Sequence, residues 1–255
     1  MTLQDIAAAL DGIIAQLPAA LQARETQDRE RQLDQLGMIT RHVPVGGRIL
    51  DLGGGISSLA PALAALGYQV QLVDDFGDPD NQRFPLADLP QSRQSGLSVT
   101  DTDASRADFP INGPLDALIC FDSLEHWHRS PRAALHHVAR QLKPGAMVLI
   151  GMPNCVHLRR RLTVPFGHGK WSTMHSWYEE PIFRSHVREI DVADLGYIGR
   201  DLGLERVSIT GRNWFGTLSQ RPLKRALSRL ADPLLRLRPS LCSNLYLLGF
   251  MPVNR

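Results

Sequence analysis

The chain has 255 residues, 43% of them hydrophobic, with 28 basic against 26 acidic side chains and a formal net charge of +2. That length fits one ordinary domain, or one with appendages, and the near-balanced charge argues neither for nor against nucleic acid. There is no basic-then-apolar leader and no long apolar run, so secretion and membrane spanning are not expected and a cytoplasmic location is. The cysteines, Cys120, Cys155 and Cys242, lie too far apart for a metal motif and read as small apolar residues in a reducing compartment.

Residues 1–45 read as helices. Leu3, Ile6, Ala7 and Leu10 share one face, Pro18 interrupts the pattern, and a more polar helix with Arg24, Glu25, Arg29, Glu30 and Arg31 runs to about His42. This N-terminal helical cap either covers the sheet or closes over an acceptor pocket. Residues 46–152 alternate strand and helix, with strands predicted at 48–53, 69–74, about 97–101, 115–121 and 146–151. Ser130 and Pro131 open a helix carrying Leu135, Val138, Ala139 and Leu142, and Lys143-Pro144-Gly145 stops it. Such alternation implies a parallel sheet covered on both faces.

Residues 153–190 read as irregular, with Trp171, Trp177, Tyr178 and four histidines. A long aromatic-rich stretch of this kind is usually functional. Asp191 then caps a helix with Val192, Leu195, Ile198 and Leu202, closed by Gly203, and strands follow at about 205–210 and 244–251. Between them, residues 221–238 hold six basic side chains and one acid, with Leu223, Leu227, Leu230 and Leu234 at helical spacing. This basic insertion reads as an amphipathic surface helix, with weak contact to an anionic membrane face as the functional alternative.

The chemistry concentrates at Arg48-Ile-Leu-Asp-Leu-Gly-Gly-Gly-Ile-Ser57. An apolar strand meets an acid, and Gly53 and Gly55 permit a tight turn and close ligand approach. Ser57 and Ser58 can open the next helix. Nineteen residues after Gly55 a second apolar run ends in Asp74, where a carboxylate takes a ribose hydroxyl pair in doubly wound folds. A dinucleotide fingerprint wants a third glycine at the position of Ser58, and Asp51 suits a cationic ligand better than a pyrophosphate. S-adenosylmethionine, with its ammonium and sulfonium, is such a ligand.

With these residues, Leu115-Asp-Ala-Leu-Ile-Cys-Phe-Asp-Ser-Leu-Glu-His126, Leu142-Lys-Pro-Gly145 and Met152-Pro-Asn154, the chain resembles a class I S-adenosylmethionine-dependent methyltransferase over residues 46–154. It is most similar to the branch marked by LEH, LKPGG and PN. Ser57 stands for the third glycine of the first motif, and Ala146 for the second glycine of LKPGG. The resemblance implies an α/β, Rossmann-like seven-stranded sheet in order 3-2-1-4-5-7-6 with the last strand antiparallel, occupying 46–255. It implies that Gly53 and Gly55 approach the methionine part of the cofactor, that Asp51 faces its ammonium and that Asp74 binds both ribose hydroxyls. Asp103, preferred to Asp101 because Ala104 follows it, would meet the adenine amino group, with Phe121 and Asp122 beside the cofactor.

Methyl transfer needs an aligned acceptor and, for an alcohol, a base. His126, just after the fourth strand, is the first candidate and His186 the second; the alternative for His126 and Glu125 is a hydrogen-bond network that only shapes the site. Arg188 could bind an anionic acceptor, and Trp171, Trp177 and Tyr178 would wall the acceptor pocket. Eight of nine histidines fall between 126 and 186, yet no i/i+4 zinc pattern appears, so no metal is expected. The likeness around Asp74–Asp78, Trp171 and His186–Glu189 is to methyltransferases of surface-polysaccharide and natural-product pathways. It points to O-methylation of a small-molecule acceptor, a sugar or other hydroxyl compound, and not to nucleic acid. The alternatives are a lipid or quinone-type acceptor, or a catalytically silent methyltransferase-like binding protein.

Overall fold

The computed structural model describes residues 1–77, 84–168 and 172–253. Trp171 and Asp78 lie outside the described residues. Seven strands form one sheet in the order β3-β2-β1-β4-β5-β7-β6. They are β1 (Arg48–Leu52), β2 (Gln69–Asp74), β3 (Leu97–Asp101), β4 (Leu115–Phe121), β5 (Leu142–Pro153), β6 (Glu205–Arg212) and β7 (Asn244–Phe250). β1 pairs in parallel with β2 and β4, β2 pairs in parallel with β3, and β6 and β7 are antiparallel. The predicted order and strand directions are observed.

By its internal contacts the chain divides into two compact units. The first comprises Met1–Cys120, Arg132–Leu149 and Met251–Arg255. It holds α1 (Leu3–Ile14), α2 (Ala19–Thr40), α3 (Leu59–Ala65), α4 (Pro90–Arg93) and α5 (Arg132–Ala139). α1 starts where Thr2 and Asp5 satisfy each other: the Asp5 amide donates to Thr2 Oγ1 at 3.1 Å and the Thr2 amide to Asp5 Oδ2 at 2.8 Å. Its apolar stripe, Ile6, Leu10, Ile13 and Ile14, is buried. Ile49 to Leu52 are buried on both strand faces, as a central parallel strand requires.

The second unit comprises Phe121–Pro131 and Ile150–Phe250. It holds α6 (Leu158–Thr163), α7 (Val192–Asp201), α8 (Trp214–Thr217) and α9 (Pro222–Arg236). Asp191 caps α7 as predicted, Oδ1 accepting from the Ala193 and Asp194 amides at 2.8 and 3.0 Å. Gly203 follows it with φ 68°.

Three local expectations change. Ser58 sits at the start of α3, but its side chain makes no cap; its amide donates to the Glu25 carboxylate instead. β5 begins at Leu142 rather than 146, because Gly145 and Ala146 exchange backbone hydrogen bonds with Met251 and extend the strand backward through Pro144. The stretch 153–190 is not wholly irregular: it contains α6, a 3₁₀ turn at Val164–Phe166 and a π turn at His175–Glu179. Among the described residues no helix is long and apolar enough to cross a membrane.

Candidate active site

In the first unit the chain leaves β1 through Gly53 and Gly55, with φ of 73° and 56°. Side chains rarely adopt these angles, so glycine is required at both positions. The Gly53 amide donates to the Val73 carbonyl at 2.8 Å, which pins the turn to β2. A Cβ on Gly54 would collide with the Asp51 carboxylate. That carboxylate is only 1% exposed, and neither of its oxygens has a hydrogen-bond partner among the described residues. Burial, and then the charge of Asp74, push Asp51 up to about 7. Asp74 is similarly raised by burial, to about 6, although two amides oppose the shift. The Gly55 amide reaches its Oδ2 at 3.0 Å and the Phe76 amide its Oδ1 at 2.6 Å.

Sequence reasoning missed that α2 reaches this turn. Glu25, 3% exposed, accepts from the Ser58 amide and from Gln32 Nε2, both at 2.7 Å. Arg24 donates from Nη2 to the Ile56 carbonyl. Leu17, Leu21, Ile56, Leu72, Phe76 and Leu89 form one buried cluster beneath these contacts. The N-terminal helices therefore brace the glycine turn. The available signal was a Glu in a helix that reads from its sequence as polar; nothing in its spacing marks it as buried. Asp103 is engaged locally, its Oδ1 accepting from the Ser105 amide at 2.9 Å and hydroxyl at 2.5 Å. Asp101 stands at the tip of β3, in register with Asp74.

The second unit brings His126 and His186 together, their ring centroids 4.9 Å apart at 85°. His126 Nδ1 lies 2.9 Å from the Arg184 carbonyl. A carbonyl only accepts, so Nδ1 carries hydrogen and Nε2 is the lone-pair nitrogen of the neutral ring. His186 Nδ1 lies 2.8 Å from Glu189 Oε1, which also accepts from Arg160 Nη2 at 2.9 Å. Burial would raise Glu189, but the hydrogen bonds from His186 and Arg160 outweigh it and hold the carboxyl below its ordinary value. The Val187 and Arg188 amides close onto the Glu125 carbonyl at 2.6 and 3.2 Å, which ties the His186 segment to the LEH turn.

Glu125, His126 and His186 offer ligand atoms within 4.8 Å of one another. This donor set could hold a divalent ion. It forms through tertiary contact over sixty residues of sequence, which is why a search for i/i+4 histidines does not find it. Asp122 has φ 47° and donates its amide to Gly151 at 2.9 Å, while Phe121 packs on Tyr246 with centroids 5.9 Å apart. The predicted aromatic wall is not enclosed: Trp177 and Tyr178 are 62% and 76% exposed on the π turn, rings 6.3 Å apart. Arg188 is directed to the Asp194 carboxylate, at 3.4 Å.

A model of a methyltransferase domain family matches residues 20–209. The chain belongs to that family. This methyltransferase is 34% identical to a ubiquinone biosynthesis O-methyltransferase of Burkholderia vietnamiensis, over 47% of this chain and 50% of that protein. It is 30% identical to the protein of the same name from Burkholderia pseudomallei, over 67% of this chain and 69% of that one. It spans about half the length of the first of these curated relatives. Among solved structures it is similar to a possible histamine N-methyltransferase of Thermotoga maritima (TM-score 0.54, 15% identity, 88% of this chain and 91% of that one). It is also similar to Haemonchus contortus phosphoethanolamine N-methyltransferase 2, solved with phosphomonomethylethanolamine and S-adenosylhomocysteine (TM-score 0.55, 17% identity, 86% and 52%). These likenesses establish the class I methyltransferase fold. The residues of the turn fit the family's cofactor, S-adenosylmethionine: a buried carboxylate with no donor is costly, and a cationic ligand removes that cost.

Proposed function

We propose that this methyltransferase O-methylates a quinone-type acceptor, a small molecule carrying an aromatic hydroxyl. The observation that carries the reading is the likeness to the Burkholderia pseudomallei ubiquinone biosynthesis O-methyltransferase, which extends over two thirds of both chains. The saccharide expected from the sequence gains no support from these relatives. Asp51 would hold the cofactor's ammonium, Asp74 its ribose hydroxyls, and the backbone at Gly53 and Gly55 its methionine portion, with Asp103, Phe121 and Asp122 as further contacts. When bound, S-adenosylmethionine supplies a methyl group already activated by its sulfonium.

The chain's remaining tasks are to orient the acceptor, exclude water and take one proton. A phenolic hydroxyl ionises near pH 10, so a neutral imidazole that accepts its proton favours the nucleophilic oxygen. His126 Nε2 is suited to that proton, since the Arg184 carbonyl fixes the other nitrogen as N–H. His186, held by the Glu189 carboxylate, packs edge-on against His126 and keeps its ring in place.

The reading is tested by transfer of a labelled methyl group from S-adenosylmethionine to a set of catechol, quinol and saccharide acceptors. Label on the aromatic hydroxyls supports it; label on the saccharides alone overturns the acceptor class. Cofactor binding without transfer to any acceptor would favour the silent binding protein. Activity abolished by a chelator and restored by a divalent ion would assign Glu125, His126 and His186 to a metal instead of to general-base chemistry.

A further inference from the structure

One surface of the second unit is built the wrong way round for a helix that packs only on its own protein. α9 meets its neighbours through small and polar groups. Ser228 lies against Gly216, where an added Cβ would collide with it. Asn213 Nδ2 donates to Asp232 Oδ1 at 2.8 Å, and Arg236 reaches the other oxygen of that carboxylate at 2.7 Å. Cys242 lies 3.4 Å from the Leu235 carbonyl. The opposite face carries Leu223, Leu227, Leu230 and Leu234, continued by Leu237, at spacings of four, three, four and three. They are 72%, 58%, 79%, 71% and 82% exposed. No residue of α9 is buried.

A surface helix normally turns such a stripe to the core. Here the leucines run along roughly 22 Å of helix and face outward. At about 100° per residue, Lys224 falls on one flank of the stripe and Arg229 on the other, with Arg221, Arg225 and Arg238 at the ends and rear. All five are exposed. The helix's single acid, Asp232, is turned to the protein side and paired there with Asn213 and Arg236.

We propose that α9 is a docking helix for an anionic lipid surface, its leucines entering the acyl boundary while the flanking basic side chains meet anionic headgroups. Apolar depth and basic flanks together are the pattern of helices that lie in the membrane interface, and long basic side chains reach the headgroup plane from beside an apolar stripe. A groove on a protein partner would also accept the leucines, but it would not call for cations on both flanks. The surface stands apart from the choice of methyl acceptor: binding to lipid needs neither cofactor nor catalysis.

The test is flotation of the whole protein with vesicles of phosphatidylcholine alone and of phosphatidylcholine mixed equally with phosphatidylglycerol. The wild type should float with the mixed vesicles and remain in solution with phosphatidylcholine, and raising the salt should weaken the binding. Leu227→Glu with Leu230→Glu should lower partitioning at least roughly tenfold, and Lys224→Glu with Arg229→Glu should do so on mixed vesicles. These positions are exposed, so the melting temperature should hold, which separates lost docking from lost fold. Wild-type protein that ignores mixed vesicles at low salt overturns the proposal, as do variants that float as well as wild type. Sedimentation equilibrium is the second measurement. A wild-type dimer that the leucine variant dissociates, with no vesicle binding, would assign the stripe to a second copy of the chain and overturn the proposal as well.

Discussion

Around the glycine turn the functional groups are backbone amides, two raised carboxylates and glycines in left-handed conformation, braced from behind by Glu25 and Arg24. Around His126 they are side chains oriented by one another and by the Arg184 carbonyl. The difference matches the two tasks. The cofactor is a constant ligand and can be met by fixed geometry. The proposed acceptor would be met by a segment of turns and short helices, where side chains can change without disturbing the sheet. The contrast is electrostatic as well. Asp51 in the first region is raised by burial and by the charge of Asp74, while Glu189 in the second is held low by His186 and Arg160.

His126→Ala should lower kcat by roughly 10²–10⁴-fold, the usual span for a positioned acid–base group, and leave cofactor affinity nearly unchanged. If the rate survives and only the melting temperature falls, the histidine pair is structural. Asp74→Ala should weaken S-adenosylmethionine binding by about 1.5–3 kcal/mol through lost charge-assisted hydrogen bonds, read by calorimetry. An unchanged affinity would remove Asp74 from the cofactor site.

Asp51→Asn should act in two directions. The folded protein retains a proton on Asp51 that the unfolded chain releases, because the group rises from 3.8 to about 7 on folding. Its contribution to stability therefore falls as pH climbs from 3.8 through about 7. The asparagine variant lacks that loss, so above pH 7 the cofactor-free variant should be more stable than wild type by about 1–3 kcal/mol in denaturant unfolding. It should also bind the cofactor less tightly. A variant that is less stable at pH 8 would show that Asp51 is satisfied in the folded state. The smallest effect is expected at Trp177, where alanine should raise the acceptor KM roughly two- to fivefold, as suits one exposed aromatic contact. An equal loss of cofactor affinity would make the π turn part of the fold's support.

What was legible in the sequence follows from the range of the interactions. The strands β1 to β4 are short apolar runs bounded by glycine, proline and acids, and the glycine turn is a local pattern; both can be read from neighbours in the chain. Asp51, Gly53, Gly55 and Asp74 come from that local grammar. Glu25 beneath the turn does not: its burial depends on α2 crossing the turn after Ile56. The same holds for the pairing of His126 with His186 and for the Glu125 carbonyl that anchors Val187. Ser58 looked like a cap because its type favours one, but the Glu25 carboxylate took the amide that capping would have served. β5 runs longer than its apolar stretch because a terminal segment near Met251 supplies backbone partners that composition does not reveal.

If Asp51 faces the cofactor's ammonium as proposed, binding converts this buried carboxylate to its charged form. Calorimetry of S-adenosylmethionine binding at about pH 6.5, repeated in buffers of different ionisation enthalpy, measures that conversion as protons released. Wild type should release a substantial fraction of a proton per cofactor, and Asp51→Asn should release less and bind more weakly. Binding without proton release, at equal affinity in wild type and variant, would contradict it.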